Sequence, residues 1–273
     1  MTARRGKETI IAAPPPHLAR IGAHNWGVVI FDEAHVLPAD IFRLTADLAA
    51  RRRLGLTATP IREDGREVDL VALIGPTIYD LPWSQLEEEG WIAPVACAEV
   101  RVPLHDVAPG DTVGYRAAAT APEKWPVIRR LVHRHSREST LILGQYLDQL
   151  RDLAQRLDAP LISGETPRAD REKLFARFRK GEERLLVLSR VGNAALDLPN
   201  ARVAIEVSGN FGSRQEEAQR LGRILRPKTD TTEPAQFYMV VAEEPTELAH
   251  AARRQRFLIE QGYRYRIVRP GEL

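Results

Sequence analysis

Two neighbouring carboxylates follow an apolar segment early in the chain. Residues 27–31 read GVVIF, and residues 32–35 read DEAH. The apolar run predicts a buried strand, and open α/β sheets bind ligands beyond the carboxyl ends of their strands. Asp32 could hold Mg²⁺ while Glu33 orients or deprotonates an attacking water, which is the division of labour that phosphoryl transfer needs. A bare Asp-Glu pair is more often two solvated loop acids, so its meaning depends on the rest of the chain.

A threonine-rich turn follows the next predicted strand. Residues 57–60 read TATP. The hydroxyls of Thr57 and Thr59 could pair with His35 or with the two carboxylates and relay a change of state at that site. On its own, such a segment is more often only a turn.

An arginine-rich segment near the carboxyl terminus suits contact with phosphate. Residues 219–226 read QRLGRILR, and in a helix Gln219, Arg223 and Arg226 share one face at spacing i, i+4 and i+7. Arginines in such a position could reach a phosphate held by another domain, as arginine fingers do. A solvated arginine-rich helix is the simpler interpretation of this segment alone.

The elements that would position these residues alternate regularly. Near-continuous apolar strands separated by amphipathic helices are typical of a parallel α/β sheet. In the first part of the chain, helices are predicted at 38–52 and 67–74 and strands at 53–58 and 95–102. In the second part, strands are predicted at 140–144, 160–163, 184–189, 201–208 and 236–241, and helices at 147–157, 167–180, 214–225 and 244–261.

Composition excludes several protein classes. The chain has 273 residues, is 44% hydrophobic, and carries 39 basic and 37 acidic residues for a net charge of +2. Its longest apolar runs are far shorter than the roughly 20 residues of a membrane-spanning helix. One cysteine, Cys97, forms no intrachain disulfide and no multi-cysteine metal site. Membrane, disulfide-rich, zinc-finger and fibrous classes are therefore excluded, and a cytoplasmic location is expected.

The three motifs together resemble those of superfamily 2 helicases in order and spacing. Residues 62–64 (RED), just past TATP, resemble the Arg-Glu-Asp motif of the XPB family of DNA helicases, and the resemblance extends over residues 26–268. It implies an α/β fold with two RecA-like parallel-sheet domains, the first truncated at its N-terminus and the second complete. The implied domains are a partial ATP-binding domain at 1–104, a linker at 105–124 and a C-terminal helicase domain at 125–273.

The resemblance also implies roles for individual residues. Asp32 and Glu33 would be the Mg²⁺-binding and water-activating acids, and Arg223 and Arg226 would be the catalytic finger arginines. ATP and Mg²⁺ would be the cofactors and DNA the partner. The remaining residues are implied to act as follows: His35, Thr57, Thr59, Gly192, Asp197 and Gln219 couple the nucleotide to movement, and Arg62, Glu63 and Asp64 contact DNA.

A phosphate-binding loop is missing from the segment where the family carries it. Only 31 residues precede Asp32, and none of them reads Gly-Lys-Ser or Gly-Lys-Thr; residues 6–9 (GKET) have a glutamate between lysine and threonine. Without that loop no backbone nest or lysine cradles the phosphates, and Asp32 alone should bind Mg²⁺ weakly. We therefore expect this chain alone to bind ATP poorly and not to hydrolyse it. The incomplete first domain should also expose an apolar sheet face.

Three functions remain open from the sequence. The first is part of an XPB-like ATP-dependent DNA helicase or translocase in DNA repair or transcription-linked DNA opening. Its missing half-domain would come from upstream sequence or from a separate polypeptide. The second is a non-enzymatic remnant that binds DNA or a helicase partner. The third is another superfamily 2 ATPase, such as a restriction-type motor, against which the RED motif at 62–64 counts.

Overall fold

The computed structural model describes residues 20–34, 48–57, 67–91, 93–105, 114–189, 201–209, 233–260 and 262–273. The chain divides into two compact units, Met1–Asp80 and Leu81–Leu273. Both contain parallel strands and helices, so the α/β class predicted from the alternation of elements is confirmed.

The first unit contains a two-stranded parallel sheet. Strand β1 is Trp26–Phe31, β2 is Ala50–Gly55, and helix α1 is Glu67–Leu73. The strands pair from Trp26 opposite Ala50 to Phe31 opposite Gly55. The helix predicted to run to residue 52 is therefore wrong over its last three residues. Pairing with β1 overrides the helical spacing there, since tertiary context routinely outweighs local propensity.

One face of β1 is open. Trp26, Val28 and Ile30 alternate along the strand and are 39%, 50% and 57% exposed. Parallel sheets are ordinarily covered on both faces, and a two-stranded sheet is at best marginally stable in water. The exposed apolar face predicted from the sequence is present.

The second unit is built on a seven-stranded parallel sheet. Its strands are β3 (Val95–Val102), β4 (Thr140–Gly144), β5 (Leu161–Ile162), β6 (Leu185–Ser189), β7 (Val203–Glu206), β8 (Ala235–Ala242) and β9 (Tyr265–Val268). The strand order in the sheet is β5-β6-β4-β7-β8-β3-β9, and every neighbouring pair runs parallel.

Helices cover both faces of this sheet. Leu141 of β4 packs in a cluster with α6 (Arg168–Arg179) and α7 (Pro245–Glu260). Its neighbour Ile142 packs in a second cluster, on the opposite face, with α4 (Lys124–Arg134) and α5 (Leu147–Leu157). No helix among the described residues is long and apolar enough to cross a membrane. The helices are α2 (Trp83–Glu88), α3 (Tyr115–Ala119), α4 (Lys124–Arg134), α5 (Leu147–Leu157), α6 (Arg168–Arg179) and α7 (Pro245–Glu260), followed by a 3₁₀ turn at Pro270–Glu272.

The division between the units differs from the predicted domain boundaries. Strand β3 was assigned to the first domain, 1–104, yet it pairs with β8 and β9, and the division lies after Asp80. The predicted linker, 105–124, contains helix α3 and the first residue of α4, with Tyr115 and Ala118 buried. The apolar pattern of β3 indicates that both faces of the strand are buried. It does not indicate which sheet the strand joins. The alanine-rich stretch lacks periodicity because it packs as one short turn of helix.

Candidate functional site

The carboxyl end of β1 places Asp32 and Glu33 in a tight turn. Glu33 has a left-handed backbone with φ of 51°, which costs a non-glycine residue about 1 kcal/mol. Two hydrogen bonds hold the turn: the Glu33 amide donates to Asp32 Oδ1 at 2.9 Å, and the Ala34 amide donates to the Leu56 carbonyl at 2.9 Å. Asp32 is exposed and Glu33 half-buried. Backbone strain held in place by its surroundings is frequent at functional sites.

Thr57 lies at the same edge of the small sheet. It follows β2, which runs parallel to β1, and the Leu56 amide donates to the Phe31 carbonyl at 2.9 Å. Gly55 allows the turn to pack closely, because a Cβ at this position would lie 2.7 Å from Ile74 Cδ1 and 3.0 Å from Ala34 Cβ. The structure thus brings Asp32, Glu33 and Thr57 to one edge.

All of the other predicted site residues lie outside the described ranges, and their roles stay predictions. They are His35, Thr59, Arg62, Glu63, Asp64, Gly192, Asp197, Gln219, Arg223 and Arg226.

The acids of the small sheet suit a magnesium ion that arrives with a phosphate ligand. Within the described ranges, no group of three or more His, Cys, Asp or Glu side chains could hold a metal ion. Mg²⁺, however, is usually held by one or two protein carboxylates together with phosphates and waters. The exposed Asp32 carboxylate, with Glu33 beside it, fits that mode of binding.

The carboxyl edge of the large sheet is held by hydroxyl groups. Ser208 Oγ accepts a hydrogen bond from the Gln145 amide at 2.9 Å, which ties the segment after β7 to the segment after β4. Thr166 Oγ1 accepts from the Ser163 amide at 2.9 Å and closes the turn after β5. These turns occupy the edge at which open α/β sheets bind ligands.

A buried ion pair that sequence reasoning missed lies at this edge. Lys124 Nζ is 2.6 Å from Glu247 Oε1, and each side chain is only 1% exposed. Lys124 Nζ also donates to the Val207 carbonyl at 3.1 Å, and Glu247 Oε2 accepts from the Ala242 amide at 2.9 Å. Burial lowers the pKa of Lys124, an effect that Glu247 only partly offsets. A lysine at the start of a helix is ordinarily exposed to solvent, so no local pattern in the sequence indicates that Lys124 is buried.

A second buried pair adjoins the first. Arg254 Nε lies 3.3 Å from Glu206 Oε1, and both side chains are almost fully buried. Both crowd Gly209, where a Cβ would lie 2.4 Å from Glu206 Oε1 and 2.5 Å from Arg254 Nη1. The Tyr115 hydroxyl donates to the Gly209 carbonyl at 2.5 Å. Burial raises the pKa of Tyr115 above its ordinary value, and Arg254 opposes the rise.

Comparison with known sequences identifies close relatives. Residues 86–272 match a family described as ERCC3/RAD25/XPB C-terminal helicase. The chain is 56% identical over 259 residues to the DNA 3′-5′ helicase XPB of Kineococcus radiotolerans, covering 93% of the chain and 46% of the relative. It is 52% identical over 255 residues to the DNA 3′-5′ helicase XPB of Mycobacterium tuberculosis, covering 91% and 46%. The chain therefore spans less than half the length of these relatives.

Comparison with solved structures supports the fold alone. Saccharomyces cerevisiae Dbp5, solved with RNA and ADP BeF3, superposes with a TM-score of 0.61 at 12% identity, covering 94% of this chain and 63% of that one. The RecA-like α/β fold implied by the resemblance is thereby confirmed.

Proposed function

The chain belongs to the ERCC3/RAD25/XPB helicase family, and from that premise we propose that it is the part of an ATP-dependent DNA helicase or translocase that carries the water-activating acid and the finger arginines. The observation that carries this proposal is the strained turn after β1, which presents Asp32 and Glu33 at the carboxyl edge of a parallel sheet beside Thr57. DNA opening in repair or transcription is the proposed context. The proposed location is the cytoplasm, which the single, buried Cys97 supports.

Each acid has a distinct proposed role. Asp32, the more exposed, holds Mg²⁺, and Glu33 orients the attacking water and accepts its proton. Mg²⁺·ATP supplies the phosphoryl group and a cation that neutralises its developing charge. Arg223 and Arg226 stabilise charge on the transferred group, while His35, Thr57 and Thr59 connect this site to movement of the domains.

We propose that the isolated chain does not hydrolyse ATP, because it has no phosphate-binding loop of the Gly-Lys-Thr type. The open face of β1 supports the need for a further polypeptide segment. Trp26, Val28 and Ile30 would be covered if the remaining strands and helices of a complete first domain packed on them. That segment could be joined to this chain or supplied as a separate polypeptide.

Contact with DNA is proposed for residues 62–64 and for the arginines of β2. Arg51, Arg52 and Arg53 are exposed on this strand. Contacts with the phosphate backbone release counterions, so affinity should fall steeply with salt. We expect the affinity for a fluorescent single-stranded oligonucleotide to fall about tenfold or more between 50 and 200 mM salt. An affinity that does not change with salt would count against the arginine contacts.

The enzymatic proposal is tested by ATP hydrolysis with and without the missing portion. The chain is assayed alone and joined to the amino-terminal portion of the Kineococcus radiotolerans relative, in each case with and without DNA. We expect DNA-stimulated hydrolysis only from the joined protein. Glu33→Gln should lower its rate about 100-fold or more. Glu182→Gln, which changes an exposed carboxylate, is the matched control and should have no effect.

Two outcomes would overturn this proposal. Hydrolysis by the chain alone that Glu33→Gln abolishes would show that no further segment is needed. A folded, DNA-binding joined protein that does not hydrolyse ATP would favour a non-enzymatic role in binding DNA or a helicase partner.

A further inference from the structure

The segment at residues 207–209 is held by buried side chains to which the proposed function assigns no role. It leaves β7 at the carboxyl edge of the large sheet, and Val207, Ser208 and Gly209 are all buried. The Val207 amide still belongs to the sheet, since it donates to the Leu143 carbonyl at 2.9 Å. Two backbone carbonyls of the segment, those of Val207 and Gly209, accept hydrogen bonds from side chains of other elements.

Lys124 holds the first of these carbonyls. Its Nζ donates to the Val207 carbonyl at 3.1 Å, and Glu247, 2.6 Å away, fixes the ammonium group in place. Glu247 is itself anchored, because its second oxygen accepts from the Ala242 amide at the end of β8. The pair therefore ties the starts of α4 and α7 to the ends of β7 and β8.

Tyr115 holds the last carbonyl of the segment. Its hydroxyl donates to the Gly209 carbonyl at 2.5 Å, and its ring packs edge-on against His250 with 4.7 Å between centroids. Glu206 and Arg254 close the other side, and the ends of their side chains would have to shift to admit a Cβ at position 209. Side chains of other elements therefore contact the segment at both of its ends and on one side.

We infer that Lys124 and Tyr115 are positioning residues, which fix the Val207 and Gly209 carbonyls and so set the direction in which the chain leaves β7. Gln219, the first residue of the predicted arginine segment, follows Gly209 by ten positions. A role of this arrangement in placing Arg223 and Arg226 rests on the proposed function. The two contacts, Lys124 with the Val207 carbonyl and Tyr115 with the Gly209 carbonyl, are together called the clamp. The clamp does not depend on the proposed function, and it is measured without nucleotide.

The first test is amide hydrogen exchange in Tyr115→Phe, which keeps the ring and removes only the hydroxyl. We expect the Val207 and Gln145 amides to exchange about tenfold faster, with exchange in the middle of β4 unchanged. The matched control is Tyr238→Phe, which loses a buried hydroxyl contact to His135 at 3.0 Å elsewhere in the same unit. It should leave the Val207 and Gln145 amides as they are.

A second variant separates positioning from the stability of the ion pair. Lys124→Met/Glu247→Gln removes both charges, and the glutamine carbonyl can still accept from the Ala242 amide. We expect the melting temperature to recover compared with Lys124→Met alone, while the Val207 amide stays poorly protected. If protection at Val207 recovers together with the melting temperature, the pair serves stability only and the inference is wrong.

Failure of this inference can be told apart from failure of the proposed function. Uniformly faster exchange over all strands in Tyr115→Phe, or no change at Val207, would overturn the clamp whatever the chain does with ATP. Local exchange as expected, with no hydrolysis by the joined protein, would leave the clamp in place and reject the enzymatic proposal.

Discussion

Replacing Lys124 by methionine should destabilise the second unit strongly. The substitution preserves length and apolar volume but removes the ammonium group that lies 2.6 Å from Glu247 and 3.1 Å from the Val207 carbonyl. Both charged side chains are 1% exposed, so Glu247 would remain buried without its counter-charge. Breaking a buried pair from one side costs about 3–5 kcal/mol. In a unit of this size that predicts a fall in melting temperature of roughly 6–20 °C.

Thermal and urea unfolding followed by circular dichroism would measure the loss. Lys173→Met is the matched control, because that lysine is 77% exposed, 3.6 Å from Asp170, and its loss should cost no more than about 1 kcal/mol. Lys124→Met/Glu247→Gln should regain at least half of the stability, since no unpaired charge stays buried. A Lys124→Met protein within about 1 kcal/mol of the unsubstituted chain would refute the buried-pair argument.

Two further predictions follow from the same unit. Gly209→Ala should lower the free energy of unfolding by about 1–3 kcal/mol in urea titrations, because the new Cβ would lie 2.5 Å from Arg254 Nη1. Burial raises the pKa values of Tyr115 and Tyr263 above the ordinary 10.0, so the folded form holds these protons more tightly and stability is lost as pH rises above about 10. Absorbance at 295 nm should therefore show both tyrosines ionising together with unfolding; their ionisation near pH 10 in a folded protein would contradict their burial.

The elements of the second unit were predictable where local pattern and burial agree. Strand β4 and helix α5 have the predicted bounds. In each, the apolar or amphipathic pattern is unbroken within the element and stops at both of its ends. Strand β3 was predicted as a strand within residues 1–104, whereas it pairs with β8 and β9, which lie far along the chain. Which strands pair is a property of tertiary packing that no local pattern carries.

Only those parts of the candidate site that lie in a contiguous motif were predictable from the sequence. Asp32 and Glu33 stand in a contiguous motif after an apolar strand, so residue type and order indicated them, whereas the strained backbone of Glu33 became visible only in the structure. The Lys124–Glu247 pair joins residues 123 positions apart, and neither has a neighbour that signals burial. Long-range polar contacts of this kind follow from the fold rather than from spacing.

The measurement that tests the central claim most directly is strand separation by the joined protein. The substrate is a DNA duplex with a single-stranded 3′ tail, and the product is the released strand. We predict release that requires ATP and Mg²⁺ and is lost in Glu33→Gln, with Glu182→Gln unaffected. Release that persists in Glu33→Gln would contradict the water-activating role of Glu33. No release from a joined protein that hydrolyses ATP and binds DNA would contradict strand separation and leave only translocation on DNA.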